Sequence, residues 1–400
     1  MFSSAIEWLK SRSRHKRLKA IKILKKQSEP KKRPFSSGES VNLQIHTNYS
    51  FSPYTPAMAA YMAHKFSLTV AGITDDYTLA GAKEFIKACN ILGLTYSVGM
   101  ELRGDFGDGY ANVALFGVAQ KHFKTLEKRT AYLRARQKEN VMRTIDAVKK
   151  RIGKNDMAVS YEKDVKPLMK RASCKVFSSK YVYYAAAEKI IEKFSVGEKT
   201  VDYVLSEGLD LTQNEVGLLR DVTNPYYAYD LAQIMLENYR ILNVKKNYAS
   251  PEEIISIGRS VGAICAYEYV LKRRGALITD EELIKRHTAL VLRLKKLGFD
   301  AISFDPTKFS EEVLCRLLKD LEENEMLPLH LSRVEFPRRR FDCNRVDGEI
   351  NEKMINSAFA VVGSEMSENS RDGYGFNYKN VELTFDEKLK LFAKIGRKGL

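Results

Sequence analysis

Between residues 41 and 102 short apolar runs alternate with longer stretches of helical spacing. Residues 43–45, 69–73 and 95–98 read as strands, and residues 56–66 and 79–92 between them as helices. A parallel pair of strands needs a crossover of a dozen or more residues, usually a helix. The three strands are therefore predicted to be parallel, with three polar clusters at their carboxyl ends: His46-Thr47-Asn48, Asp75-Asp76 and Glu101. Open α/β sheets and barrels build their sites at that edge.

One imidazole and several carboxylates converging there point to a metal or acid/base site. Each residue also has a plainer reading. Asp75, Asp76 or Thr78 could cap the helix expected from Leu79, and a histidine after a strand is often only hydrogen-bonded structure. Glu101, in the turn Gly99-Met100-Glu101-Leu102, is the hardest to explain that way.

Downstream, residues 110–118 (YANVALFGV) read as a fourth strand, after which strand patterning stops until about residue 250. Stretches such as 131–150 and 178–194 are rich in Lys, Glu, Ala and Leu, and predict a mainly helical insertion. Its tyrosines, Tyr181, Tyr183, Tyr184, Tyr203, Tyr226, Tyr227 and Tyr229, could stack on bases or pack between helices, with packing favoured. Helices over 251–260, 281–297 and 311–324 then alternate with strands over 262–266, 299–304 and from 327. At the end of the chain, helices are expected over 351–362 and 385–395. The polar loop between them, 365–377, could bring Glu365 or Arg371 to the site, or simply lie on the surface.

In order and spacing, His46-Thr47-Asn48, Ile73-Thr74-Asp75-Asp76-Tyr77-Thr78 and Gly99-Met100-Glu101 resemble the PHP (polymerase and histidinol phosphatase) phosphoesterases over about sixty residues. The resemblance implies an α/β fold, a distorted (β/α)7 TIM-like barrel of seven parallel strands, with two or three metal ions at its carboxyl-end face. By position, His46, Asp75 and Glu101 correspond to retained metal ligands. Asn48, Asp76, Asn112 and Tyr267 stand where that family has histidines, and Ser303 stands at an acidic position. Glu335, with His330, is the nearby residue that could close the site.

Composition refines this picture. The chain has 400 residues, a net charge of +16, six histidines and five cysteines. With so few imidazoles, the metal set reads as His46, Asp75, Asp76, Glu101 and Glu335. Such an oxygen-rich set suits magnesium, calcium or manganese better than zinc. Asp76 and His46 are the candidate catalytic residues, and Arg103, Arg338 and Arg339 the candidate phosphate binders. The cysteines, without a Cys-x-x-Cys pair, predict reduced thiols in a cytoplasmic protein. No apolar run reaches the roughly twenty residues of a membrane span.

Residues 1–34 hold twelve Lys and Arg against Glu7 and Glu29. They predict a basic amphipathic helix to about Lys26 and then a linker. Such a helix could meet nucleic acid or an anionic membrane surface, or be a solvated tail. The expected organisation is residues 1–34, a first barrel part 35–118, the insertion 119–250, a second barrel part 251–345 and an extension 346–400. Two functional readings follow. One is a divergent phosphoesterase, using manganese, magnesium or zinc on a phosphorylated small molecule or nucleotide. The other is a degenerate, inactive barrel without a metal that binds or scaffolds, recruited by its basic helix.

Overall fold

Seven strands follow one another across a single sheet in chain order: β1 (Val41–Ile45), β2 (Val70–Asp76), β3 (Thr95–Asp105), β4 (Tyr110–Phe116), β5 (Ile264–Glu268), β6 (Ala301–Phe304) and β7 (Leu327–His330). The computed structural model describes residues 2–26, 40–152, 157–172, 174, 176–239, 246–271, 279–342, 348–371, 373–378 and 382–399. The expected linker from residue 29 and Cys343 lie outside the described residues.

The pairs β1–β2, β2–β3, β5–β6 and β6–β7 are parallel, as the helical crossovers require. β4 corrects the expectation of seven parallel strands, since it pairs antiparallel with both β3 and β5. Only residues 106–109 separate β3 from β4. Four residues can close a hairpin but cannot make a crossover.

The sheet curls into a half-barrel rather than a closed barrel. Instead of β7 pairing along β1, a single parallel bridge joins Ile45 to Val334, just beyond β7. There the His46 amide donates to Val334 O at 3.0 Å and the Val334 amide to Gln44 O at 2.9 Å.

The period of two along each strand sorts the concave face into layers. β2 presents Val70, Gly72, Thr74 and Asp76; β3 presents Ser97, Gly99 and Glu101; β5 presents Ile264, Ala266 and Glu268. β4 runs the other way and presents Phe116, Ala114 and Asn112. Each series begins apolar or small and ends polar at the same rim. β1 joins it through a bulge: Asn42 pairs with Ala71 but Ile45 with Ile73, so Leu43 and Gln44 stand opposite Gly72 alone. One extra residue switches the face of everything after it, which puts Gln44 and His46 on the concave side.

The apolar end of this face is filled by the helix Glu349–Asn369, buried on nearly every side from Met354 to Glu365. Ile355, Phe359 and Val362 pack with Val41, Val70, Phe116, Ile264, Ala301 and Leu327. A helix apolar all round belongs in a core. The helix Phe385–Arg397 crosses it closely, where a Cβ on Gly363 would lie 1.8 Å from Phe392 O and one on Gly396 2.2 Å from Phe359 O. Glu365 therefore lies in a helix, not in a loop at the rim. Its Oε2 accepts from Ser97 Oγ and Val98 N, both at 2.8 Å, near the amino end of β3. That is about 13 Å of strand from Glu101, at roughly 3.3 Å per residue.

Between β4 and β5 every described element is helical. Most of the tyrosines there pack between side chains, and Tyr226 is exposed. Tyr181 meets Phe51 edge-on at 4.9 Å, Tyr184 and Tyr229 lie 4.8 Å apart, and Tyr203 stacks on Phe194 at 4.2 Å. At the amino end, two helices form, Phe2–Leu9 and Arg14–Lys25, with Ser13 capping the second. Their apolar residues Ala5, Leu9, Ala20, Ile21 and Leu24 are buried, which overturns the solvated-tail reading. Arg12, Arg14, Lys16, Lys19, Lys22, Lys25 and Lys26 remain exposed. No helix among the described residues is long and apolar enough to cross a membrane.

Candidate metal centre

The polar rim gathers His46 after β1, Asp76 at the end of β2, Glu101 on β3 and Glu268 at the end of β5. The helix expected to be capped by Asp75, Asp76 or Thr78 starts later, at Ala82, with Gly81 in the capping position and no side-chain cap. That leaves Asp76 for the site. The next residue, Tyr77, has φ 56°, a left-handed conformation that costs a bulky residue on the order of 1–3 kcal/mol. Three contacts hold it there. The Tyr77 amide donates to Glu101 O (2.9 Å), its hydroxyl accepts from Arg103 N (3.0 Å), and its carbonyl accepts from Arg134 Nη1 (3.0 Å).

His46, Asp76 and Glu101 each offer a ligand atom, all within 4.8 Å of one another. His46 Nε2 lies 3.4 Å from Glu101 Oε2, and His46 Nδ1 lies 3.8 Å from Asp76 Oδ1. Both His46 Nε2 and Glu101 Oε2 are buried without a hydrogen-bond partner. Orphaned polar atoms inside a protein are costly. Metal–ligand bonds of about 2.0–2.2 Å place neighbouring donors roughly 3–3.6 Å apart, so this pair fits a divalent ion. Burial holds the His46 imidazole below its ordinary range, and the nearby Arg333 and Lys180 add to the effect. It is thus neutral, the form that binds metal.

Two cations that the sequence analysis did not single out enter the same space. Lys180, at the start of the helix Ser179–Phe194, reaches in from the insertion. Its Nζ lies 3.3 Å from Asp76 Oδ2 and pairs closely with Glu335 Oε2. Arg333, between β7 and Glu335, puts Nη2 at 2.6 Å from Glu101 Oε1, 3.2 Å from Glu335 Oε2 and 4.0 Å from Asp76 Oδ1. Its Nε is 3.8 Å from Glu268 Oε2. Glu268 also accepts from Gln44 Nε2 at 2.6 Å and from Asn112 Nδ2 at 3.1 Å.

The charges are unevenly matched, because four buried or nearly buried carboxylates, Asp76, Glu101, Glu268 and Glu335, face two side-chain cations. Burial, with Glu101 beside it, pushes Glu268 up to about 8. Burial pushes Glu101 up to about 7 despite Arg333. Burial also works against ionised Asp76, but Lys180, with Arg333, outweighs it and holds that carboxylate below its usual range. Glu335 likewise overcomes its burial through Arg333 and Lys180 and stays ionised. A divalent cation would take up the negative charge that the two side chains leave.

The other expected residues take different places. Asp75 is buried and accepts from Thr47 N (2.6 Å), Thr47 Oγ1 (2.7 Å) and Ser50 Oγ (2.8 Å). Ser50 Oγ is in turn 3.1 Å from His46 Nδ1, so Asp75 orients the loop that carries the imidazole. Asn48 donates to Ala172 O at 2.5 Å and ties that loop to the insertion. Arg103 lies over the Tyr248 ring, 5.9 Å from its centroid. Arg338 is exposed and pairs with Asp230 at 2.8 Å, and Arg339 is exposed beside it.

Glu268 was legible, standing two residues beyond Ala266 on the same strand face. Lys180 and Arg333 gave no periodic or motif signal; each reaches the rim from an element far along the chain.

No protein-family model matches this chain, and no curated protein matches it. Among solved structures it is similar to a protein from Bifidobacterium adolescentis assigned as a metal-dependent phosphoesterase: TM-score 0.52, 16% identity, 80% of this chain and 96% of that one. It is also similar to an amidohydrolase from Chromobacterium violaceum with bound sulfate and no metal: TM-score 0.50, 13% identity, 77% of this chain and 91% of that one. At these identities the likeness establishes a shared fold alone, a curled mixed sheet with many helices.

Proposed function

We propose that this chain is a divergent metal-dependent phosphoesterase of the PHP type, acting on a phosphate ester at the rim of the half-barrel. The observation that carries the reading is the buried, unpartnered pair His46 Nε2 and Glu101 Oε2, 3.4 Å apart with Asp76 beside it. His46, Asp76 and Glu101 would hold a divalent ion, manganese, magnesium or zinc. Such an ion supplies Lewis-acid polarisation of a phosphoryl oxygen and activation of an attacking water. The similarity in fold to a protein assigned as a metal-dependent phosphoesterase, and to one that binds sulfate, agrees with a tetrahedral oxyanion as substrate group.

The chain's own residues have distinct tasks in this reading. Arg333, with its planar array of donors, and Lys180 neutralise and orient the phosphoryl oxygens. Asp76, held ionised by Lys180, accepts a hydrogen bond from the attacking water and aligns it. Asp75, through Ser50, fixes the ring of His46.

A second reading, a barrel that binds a phosphorylated ligand without hydrolysing it, draws on the same two cations, since they already neutralise part of the carboxylate cluster. Elemental analysis and calorimetry with manganese, magnesium and zinc, on wild type and Glu101→Gln, separate the two. Tight binding lost in the variant, with metal-dependent turnover of a panel of phosphomonoesters and phosphodiesters, supports the enzyme. Absence of binding at millimolar metal rejects it.

A further inference from the structure

The carboxylates at the rim are divided between two environments. Glu101 turns Oε2 toward His46 at 3.4 Å, while its Oε1 accepts from Arg333 Nη2 at 2.6 Å. Asp76 directs Oδ1 toward His46 Nδ1 at 3.8 Å, and its Oδ2 lies 3.3 Å from Lys180 Nζ. A carboxylate that bridges two metal ions divides its oxygens in the same way. Here one side of each carboxylate faces the imidazole and the other faces a side-chain cation. Glu335 lies wholly on the second side, with Oε2 close to both Lys180 and Arg333.

From this division, and resting on the reading of the rim as a metal site, we infer that Lys180 and Arg333 occupy the ground that further ions would take. The site therefore holds a single divalent ion, bound by His46, Asp76 and Glu101. Lys180 is 14% and Arg333 17% exposed, and each lies within 4.0 Å of at least two carboxylates. An ion in that ground would face an ammonium and a guanidinium only a few ångströms away, and like charges that close repel strongly even at the effective dielectric of about 20 suited to protein sites. With both cations removed, Asp76 Oδ2, Glu101 Oε1 and Glu335 become a ready set of oxygen donors. The two side chains are thus positioning and capacity-setting residues, and Glu335 serves them rather than the ion.

The test counts ions instead of turnover. Full-length wild type, Lys180→Met and the double variant Lys180→Met/Arg333→Met are titrated with Mn2+ by calorimetry. Bound metal is quantified by elemental analysis, and paramagnetic resonance distinguishes isolated from coupled manganese. Wild type should hold one ion per chain with an uncoupled signal. Lys180→Met should gain a second site, weaker than the first but at least tenfold tighter than any second binding by wild type, and the double variant should hold two coupled ions. Adding Glu335→Gln to the double variant should return the count to one. Two or more ions in wild type overturn the inference, and so does a folded Lys180→Met without a second site, which serves if the double variant does not fold. No ion in wild type overturns it together with the metal reading itself, an outcome separate from a miscount.

Discussion

Two buried ionic clusters in this molecule have opposite character. Beneath the amino-terminal helices, Arg17 and Glu84 form a closed pair. Arg17 Nε donates to Glu84 Oε1 at 2.7 Å, Nη2 pairs with Oε2, and Nη1 donates to Ser11 O at 2.6 Å and Arg12 O at 3.0 Å. Glu84 Oε1 also accepts from Ala57 N at 3.2 Å. One cation meets one anion, and each carboxylate oxygen is engaged. At the rim, four carboxylates meet two cations, and His46 Nε2 and Glu101 Oε2 have no partner. A closed network holds elements together; one left open around facing donor atoms is arranged for something that arrives from outside.

The comparison breaks first if the closed pair proves dispensable. Arg17→Met leaves Glu84 as an uncompensated buried charge, which costs roughly 3–5 kcal/mol. Urea denaturation should show that loss, with the amino-terminal helices becoming sensitive to protease. At the rim the sign should reverse. Glu101→Gln should weaken metal binding at least a hundredfold while raising the melting temperature of the metal-free protein at pH 8. Burial lifts the Glu101 carboxyl to about 7 in the folded chain, above its ordinary value of 4.5. The folded state therefore binds the proton more tightly, and its contribution is lost as pH rises from about 4.5 through 7. The variant escapes that loss, and an unchanged difference in melting temperature between pH 4.5 and pH 8 would contradict the argument.

Glu365 sharpens the comparison from between the two cases. Its Oε2 has two donors and its Oε1 has none, and burial pushes it up to about 8. Wild type should lose stability from about pH 4.5 upward through 8, and Glu365→Gln should flatten that slope without altering metal affinity. The smallest effect belongs to Arg338, an exposed residue paired with Asp230. Arg338→Ala should cost at most about 1 kcal/mol and leave phosphate and metal binding unchanged. A clear loss of phosphate binding would restore it as a substrate residue.

Much of the sheet was legible in the sequence. Apolar runs spaced by helix-length segments fixed the first three strands, their directions and the shared edge of His46, Asp76 and Glu101, because parallel pairing needs a long crossover. The direction of β4 was not legible, because the third strand was expected to end at residue 98, and only its extension to Asp105 leaves the four residues of a hairpin before β4. The basic amino-terminal segment announced an amphipathic helix; only packing against the body of the protein, sealed by Arg17 and Glu84, revealed where its apolar face goes.

The sequence by itself determined the alternation of elements, the polar ends of the strands and the shortage of imidazoles, since these are set by periodicity and residue type. Tertiary structure alone decided how the site is balanced. Lys180 and Arg333 are brought beside Asp76, Glu101 and Glu335 by a helix and a loop far apart in the chain, and the bulge in β1 turns His46 inward. Glu365 is carried to the opposite end of β3. Charge neutralisation acts across space, and spacing along a chain records none of it.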